Sequence, residues 1–511
     1  MLVLDRENRP LSTTDRLTAL DVSFLHLEDH GAAHMHVASV LVFDGTAPSL
    51  DELTDHIVGR LHLVPRFRQR LAQVPLRQGR PVWVDDPHFN PAYHIRHTAL
   101  TRPGDEEALK RLAGRLFSQR LDRSKPLWEF WLVEGLEGAR FALIIKTHHA
   151  LVDGVSGVDI ATILFDGIVE DAGDSRGQPR DWVPRPVPGS TQLLANALIE
   201  RATVPAEAIR GVRAVLRTPR RVAGEAVEAL RALGALAVSP DFAPQSPFNV
   251  PIGPHRRYSW VDADLDGMRA VKNAFGGTVN DAILTAVAGG IGRYLRAQGH
   301  DTEDLVLRAM VPVSVRTKSG RGALGNQVAA MWAPLPVGVA DPRERFEQLR
   351  RAMADVKESG QAVGAQVLTE LAGFAPTTIL SQAARLQARQ RYFNLVVTNI
   401  PGPQVPLYVL KRKLSVIYPA APLAYNQALS IAVMSYCGRM GFGLLADFDA
   451  LPALEELAFA LRLSIEELTV AAGVRRGRSE RRHAVKAQTR AAAVGVVRKV
   501  SAAPERSRRS R

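Results

Sequence analysis

The stretch Phe141-Ala-Leu-Ile-Ile-Lys-Thr-His148-His149-Ala-Leu-Val-Asp153-Gly154 joins an apolar run to a cluster of polar residues. The apolar run predicts a buried strand, and the capping pattern that begins at Ser156 predicts the start of a helix. The two histidines and Asp153 are therefore expected in a strand-to-helix turn. Because neighbouring side chains of an extended backbone point to opposite faces, only one of the two histidines is expected to face a cavity.

This pattern suits acid–base chemistry. A neutral imidazole, with an ordinary pKa of about 6.5, accepts a proton from an alcohol as the alcohol attacks a carbonyl group. A carboxylate such as Asp153 orients an imidazole or holds the turn, and Gly154 allows a tight backbone path. Two other interpretations stay open. By spacing alone, a pair of hydrogen-bonded core histidines is about equally favoured, whereas a metal site is disfavoured because the motif lacks the i,i+4 spacing of a zinc-binding helix.

The bulk composition limits the class of protein. A length of 511 residues predicts two or more domains, since single hydrophobic cores stop growing at roughly 250–300 residues. The one cysteine, Cys437, excludes an intramolecular disulfide and a CxxC redox pair. No run approaches the ~18 apolar residues of a membrane span, and the charged N-terminal residues do not resemble an export signal. We therefore expect a cytoplasmic protein, soluble or peripheral to membranes.

Strand-like and helix-like runs alternate along the chain, which predicts an α/β fold. Extended runs are expected at residues 36–43, 305–312, 393–398 and 429–435, and a helix at 282–295. Pro-rich stretches near Trp182 and from Ser239 to Pro254 separate two α/β regions. The predicted units are an N-terminal domain (1–182), a helical and Pro-rich linker (183–250), a C-terminal domain (251–474) and a basic tail (475–511).

The basic charge of the chain is concentrated in the tail. Residues 475–511 contain thirteen Lys and Arg against two Glu, which accounts for +11 of the formal net charge of +13. The tail lacks interleaved aromatic residues and the body is nearly neutral, so nucleic-acid binding is not expected. The tail is too polar to form a core and is expected to be disordered. Together with the Arg-rich connector 193–236, it is expected either to lie on an anionic lipid surface or to be a solvated extension.

Further motifs occur in order over about residues 15–470. They are Leu17–Leu25, Tyr93–His97, Pro126-Leu127-Trp128-Glu129, Pro251–Arg257, Asn280-Asp281, Val311–Arg316 and Asn399–Pro403. Together with the His148–Gly154 motif, they resemble the bacterial wax ester synthase/diacylglycerol acyltransferase family. That family lies within a wider group of CoA-dependent acyltransferases that includes chloramphenicol acetyltransferase and the condensation domains of peptide synthetases.

The resemblance implies a fold and a reaction. The fold is two chloramphenicol-acetyltransferase-like domains, each a mixed sheet flanked by helices, with a substrate tunnel between them. The reaction is direct transfer of a long-chain acyl group from acyl-CoA to diacylglycerol or a long-chain alcohol, at a membrane or lipid-droplet surface and without a metal or cofactor. The resemblance implies His149 as general base. The other site residues it implies are His148 and Asp153 in the catalytic turn, and Pro126, Leu127, Trp128 and Gly154 on the substrate side.

Several motifs also have structural interpretations. Thr278-x-x-Asp281 is a capping pattern, so Asn280 and Asp281 are expected to be structural. Trp128 is equally well explained as a core anchor. The Gly-rich segment 319–327 is a weak candidate for holding CoA phosphates. The alternative functions are acylation of a polyketide or another hydroxyl acceptor, and a non-catalytic lipid-binding role.

Overall fold

The computed structural model describes residues 16–29, 31–77, 79–152, 164–166, 182–199, 242–314, 328–358 and 391–474. The N-terminal half contains α1 (Ala19–Asp29), β1 (His36–Asp44), α2 (Leu50–Arg60), β2 (Gln69–Ala72), β3 (Val82–Asp85), α3 (Pro91–His94), β4 (Ile95–Ala99), α4 (Glu106–Ser118), β5 (Trp128–Leu136), β6 (Arg140–His148) and α5 (His149–Val152). Residues 190–199 form a further helical segment.

The C-terminal half continues with β7 (Arg256–Asp264), α6 (Leu265–Phe275), α7 (Val279–Ala297), β8 (Val306–Ser314), β9 (Val328–Pro336), α8 (Pro342–Glu358), β10 (Leu395–Ile400), β11 (Tyr408–Val409), β12 (Arg412–Ala420), β13 (Leu429–Tyr436), β14 (Arg439–Asp447) and α9 (Leu454–Ala471). The extended runs expected at residues 36–43, 305–312, 393–398 and 429–435 are confirmed by β1, β8, β10 and β13. The predicted helix at 282–295 lies within α7.

These elements form two six-stranded sheets. The first has the order β11-β12-β1-β6-β5-β4 and the second the order β7-β14-β13-β10-β8-β9. Both are mixed, because β4 pairs with β5 in parallel and β10 pairs in parallel with β13 and β8, while most other pairs are antiparallel. The predicted α/β class with mixed sheets is confirmed.

Two strands of the C-terminal half, β11 and β12, lie in the first sheet. β12 belongs to the C-terminal half, yet it pairs with β1 in the first sheet, with Ala38 opposite Ala420 and Leu41 opposite Ile417. Because β12 hydrogen-bonds to β1, the first sheet needs strands from both halves, whereas the second sheet is built from the C-terminal half alone. The sequence did not predict this exchange, and the boundaries at 182, 250 and 474 stay a prediction.

Helix α7 lies at the centre of the second half. It is buried along most of its length, from Asp281 to Leu295. A Cβ at Gly292 would lie 2.0 Å from the carbonyl oxygen of Val337, so the close approach of α7 to the segment after β9 requires glycine there. The largest hydrophobic cluster also includes residues of α4, and the ring of Phe117 packs edge-on against Tyr258 at 5.0 Å.

Local capping signals place two helix starts as expected. The Thr18 and Asp21 side chains bond at 2.7 Å ahead of α1, and Thr278 and Asp281 form the capping box of α7. The helix expected after Ser156, most of the connector, the Gly-rich segment 319–327 and the tail lie outside the described residues. No helix in the described part of the chain is long and apolar enough to cross a membrane.

Candidate active site

The two motif histidines lie where β6 ends and the short helix α5 begins. β6 is buried along almost its whole length because its residues are mainly apolar, and this holds its C-terminal end in a rigid frame. His148 is the last residue of the strand and lies opposite His36 of β1. His149 is the first residue of α5. The two histidines therefore lie at the junction of a strand and a short helix, while Asp153 and the helix expected after Ser156 lie outside the described residues.

His149 lies in a largely enclosed environment beside an aromatic ring. Its main-chain N–H donates a hydrogen bond of 2.8 Å to the carbonyl oxygen of Met35, and its ring packs against Phe24 with 4.4 Å between centroids. Burial lowers the pKa of His149 to about 4, so the ring is neutral at physiological pH. The side chain is nonetheless partly exposed. Among the described residues, no group hydrogen-bonds its enclosed Nδ1.

His148 has a different environment from its neighbour. It is fully buried, and its Nδ1 accepts a hydrogen bond of 3.0 Å from the main-chain N–H of Ala150. A neutral imidazole that accepts at Nδ1 carries its proton on Nε2. That Nε2 lies 3.4 Å from Oε1 of Glu28. His148 is thus held on both sides by the protein, whereas the side chain of His149 is partly exposed.

Glu28 is the centre of a buried charged cluster beside the turn. Its Oε1 accepts a hydrogen bond of 2.6 Å from the N–H of Met35, and its Oε2 accepts one of 2.8 Å from Arg123. Nε2 of His36 lies 3.5 Å from Oε1. Burial opposes ionisation of this carboxyl, but its contacts with His148, His36 and Arg123 outweigh burial and hold the pKa of Glu28 well below its usual range. The cluster therefore carries a carboxylate at neutral pH.

The Pro126-Leu127-Trp128 motif supports the same turn from β5. The carbonyl oxygen of Leu127 accepts a hydrogen bond of 3.0 Å from the N–H of His148. Trp128 is fully buried, donates from Nε1 to the carbonyl oxygen of Phe67 at 2.8 Å and stacks on His94 at 4.5 Å. These contacts favour the core-anchor interpretation of Trp128, and a direct contact with substrate stays a prediction.

Two family models match this chain. One is described as the wax ester synthase/diacylglycerol acyltransferase catalytic domain and matches residues 17–283. The other is described as the WS/DGAT C-terminal domain and matches residues 324–469. The chain belongs to the wax ester synthase/diacylglycerol acyltransferase family. The expected resemblance is therefore confirmed, and the chain is an acyltransferase.

Individual members of the wax ester synthase/diacylglycerol acyltransferase family match almost the whole chain. A probable diacylglycerol O-acyltransferase of Mycobacterium tuberculosis is 32% identical over 477 residues, which cover 92% of this chain and 99% of that protein. The solved wax ester synthase/diacylglycerol acyltransferase of Marinobacter aquaeolei VT8 is 29% identical with a TM-score of 0.61, covering 90% of this chain and 100% of that chain.

The wider fold group is also confirmed. The first condensation domain of the calcium-dependent antibiotic synthetase has a TM-score of 0.53 at 15% identity, covering 89% of this chain and 96% of that chain. At this identity the likeness concerns the fold alone. It agrees with the two-domain acyltransferase fold expected from the motifs.

The remaining motif residues of this family member divide into two groups. Asp153 and Gly154 lie outside the described residues, so their expected roles stay predictions. Asp281 is buried at the start of α7, where its Oδ2 accepts hydrogen bonds of 2.8 Å from both the N–H and the hydroxyl of Thr278. Asn280 is the residue before it on the same first turn. The described residues contain no cluster of three His, Cys, Asp or Glu side chains that could hold a metal ion.

Sequence reasoning missed the charged partners of the acyltransferase turn. Glu28 lies near the end of α1, and Arg123 lies in the loop after α4. Neither residue belongs to a motif with chemical meaning, and each gains its partner only when α1 and that loop meet beside β6. His36 was predicted as part of a strand, but the sequence carried no signal that it would lie opposite His148.

Proposed function

We propose that this chain transfers a long-chain acyl group from acyl-CoA to the hydroxyl of diacylglycerol or of a long-chain alcohol, with His149 as the general base. The observation that carries the proposal is the neutral, partly exposed imidazole of His149 at the rigid end of β6. The names of the Mycobacterium and Marinobacter relatives support these two classes of acceptor.

The proposed reaction uses one proton relay. Because Nδ1 of His149 is enclosed, Nε2 is the nitrogen that faces the substrate. Nε2 accepts the proton of the alcohol while the alcohol oxygen forms a bond with the thioester carbonyl carbon. The carbon–sulfur bond then breaks, and the imidazolium returns the proton to the departing CoA thiolate. The products are an ester and free CoA. This route has no acyl-enzyme intermediate and calls for no metal or cofactor.

The residues around His149 fix its position and orientation. In this proposal His148 and the Leu127 carbonyl group hold the end of β6, and the Met35 carbonyl group fixes the backbone of His149. Asp153 and Gly154 shape the turn that follows. Holding a base at one orientation matters because a small misplacement of a reacting group costs a large share of the rate.

The acceptors are insoluble, so we also propose that the enzyme works at a membrane or lipid-droplet surface on the cytoplasmic side. The excess positive charge of residues 475–511 supports this, since each Lys or Arg near an anionic surface contributes about 1 kcal/mol. Flotation with phosphatidylglycerol liposomes checks it. Equal flotation of the full chain and of a chain ending at residue 474 would contradict a role of the tail.

The catalytic proposal is tested by thioester consumption with palmitoyl-CoA and either diacylglycerol or hexadecanol. We expect His149→Ala to lower kcat by about 10³-fold, the range of a lost general base, without lowering Tm. His97→Ala is the matched control, because the side chain of His97 is exposed and its ion pair among the described residues is with Glu134 at 3.4 Å. Absence of ester from both acceptors, or full activity of His149→Ala, would overturn the proposal.

A further inference from the structure

A cavity of about 590 Å³ opens where the two halves of the chain meet. One wall is α4, and the opposite wall is formed by the start of β7 and by residues 448–455. The two walls are in direct contact at their base, since a Cβ at Gly114 would lie 2.9 Å from the carbonyl oxygen of Arg256. The cavity is therefore a feature of the assembled fold, and of the family motifs discussed above Pro251–Arg257 alone contributes to its lining, through His255, Arg256 and Arg257.

The cavity has more positive than negative side chains. The charged groups in its lining are Lys110, Arg111, Arg115, Arg256 and Arg257, with His255, against Glu107 and Glu455. Nζ of Lys110 lies 2.9 Å from Oε1 of Glu107 and 2.9 Å from Oε2 of Glu455. Both acidic groups therefore already have a cationic partner, and the arginines of the lining provide the surplus charge.

Three arginines supply donors that this lining does not neutralise. Arg111 and Arg115 lie one turn apart on the exposed face of α4, and neither has a carboxylate within ion-pair distance in the described part of the chain. Two like charges at this spacing repel each other and destabilise the helix, and an anion bound between them would remove that repulsion. Arg257 donates from Nε to the Phe448 carbonyl oxygen at 2.8 Å, which leaves its terminal nitrogens for a ligand.

An aromatic surface accompanies these cations. The ring of Phe448 is 41% exposed, and the guanidinium of Arg257 lies 3.7 Å above its centroid. Exposed aromatic rings beside arginine form the surfaces on which proteins stack the bases of nucleotides. The combination of phosphate-binding cations and a stacking ring fits a nucleotide better than a lipid headgroup, which has no flat base.

Arg256 connects the cavity to the catalytic turn. Its Nη2 donates a hydrogen bond to the carbonyl oxygen of Ala32. Ala32 lies close to Met35 in the chain, and the backbone between them spans at most roughly 10 Å. The carbonyl oxygen of Met35 accepts the N–H of His149. On the other wall, Nζ of Lys146 in β6 donates at 3.0 Å to the carbonyl oxygen of Gln119, just after α4. A ligand in the cavity thus lies one short segment from the residues that hold His149.

We propose that this cavity binds the phosphate-bearing nucleotide end of acyl-CoA, and that the pantetheine arm extends from it toward His149. This inference rests on the proposed function, in which acyl-CoA is the donor. Arg111 and Arg115 bind the phosphates, and Phe448 with Arg257 holds the adenine. The acyl acceptor takes no part in this site.

The test compares two donors that differ only at the nucleotide, palmitoyl-CoA and palmitoyl-pantetheine. For Arg111→Glu/Arg115→Glu we expect the KM for palmitoyl-CoA to rise about tenfold with kcat within twofold, because charge-assisted hydrogen bonds to phosphate are lost. The KM for palmitoyl-pantetheine stays unchanged. The matched control is Lys272→Glu/Arg350→Glu, which makes the same change in charge on the exposed faces of α6 and α8 and leaves both KM values unchanged. Arg111→Gln/Arg115→Gln repeats the test without introducing acidic groups.

Kinetic, flotation and calorimetric outcomes can each overturn the proposal. The first is that Arg111→Glu/Arg115→Glu changes the KM for palmitoyl-CoA and the KM for palmitoyl-pantetheine by the same factor, or changes neither KM. The second is loss of flotation with phosphatidylglycerol liposomes while the KM for palmitoyl-CoA is unchanged, which assigns the cavity to a lipid headgroup. Calorimetric binding of free CoA tests the cavity site independently of the proposed acyl transfer. Weaker binding of CoA to Arg111→Glu/Arg115→Glu than to wild type supports the cavity site even if no ester forms. Equal binding of CoA to the two proteins refutes it.

Discussion

Oε1 of Glu28 lies 3.4 Å from Nε2 of His148, and both side chains are buried. The same oxygen accepts the N–H of Met35, whose carbonyl oxygen accepts the N–H of His149. The Glu28 carboxylate therefore contacts the ring of His148 directly and is linked to the backbone of His149 through Met35, the residue before β1. This arrangement makes Glu28 a positioning residue for the proposed base.

Substitution of Glu28 tests this arrangement. Glu28→Gln keeps an oxygen acceptor for Met35 and His148, whereas Glu28→Ala leaves a buried N–H without a partner and Arg123 without its carboxylate. We expect Glu28→Ala to lower kcat about 100-fold and the free energy of unfolding by about 3 kcal/mol, and Glu28→Gln to recover most of the lost kcat. The KM for acyl-CoA stays within twofold in both variants. Equal kcat values for the two variants, measured on folded protein, would refute the positioning role.

The pH dependence of the rate reports the state of His149. Burial lowers its pKa to about 4, so the group loses its proton at lower pH than an ordinary histidine and stays a competent base in mildly acidic solution. We expect kcat/KM to be level from pH 8 down to about 5.5 and to fall only toward pH 4. Initial rates at each pH, with circular dichroism to verify the fold, provide the measurement. An acid limb centred near pH 6.5 would contradict a buried neutral base.

Strand β12 packs closely against β14 of the second sheet. A Cβ at Gly443 of β14 would lie 1.7 Å from the carbonyl oxygen of Pro419 in β12. We expect Gly443→Ala to lower the free energy of unfolding by about 2–3 kcal/mol, because the backbone of β12 must shift. Gly59 of α2 is the control, since a Cβ there meets nothing within 4 Å, and Gly59→Ala is expected to stabilise the chain by about 0.5–1 kcal/mol. Urea unfolding of both variants decides the matter, and equal stability would argue against the close packing of β12 on β14.

Features of this protein that depend on neighbouring residues were visible in the sequence. Thr278 and Asp281 are three residues apart and form their capping box within one turn, and the apolar run of β6 places His148 and His149 at a strand end. The mixed α/β class follows from the same short-range periodicity. These predictions hold because the interactions that produce them act over a few residues of one segment.

Features that depend on the meeting of distant segments were not visible. Glu28, Arg123 and His148 lie on three separate segments, and their cluster exists because α1, the loop after α4 and the end of β6 converge. The pairing of β12 with β1 depends on which strand edges meet, and the cavity beside α4 depends on how α4 packs against the start of β7. Hydrophobic periodicity predicts that a strand is buried but not which strand lies beside it, because register and pairing are chosen by the packing of the whole core.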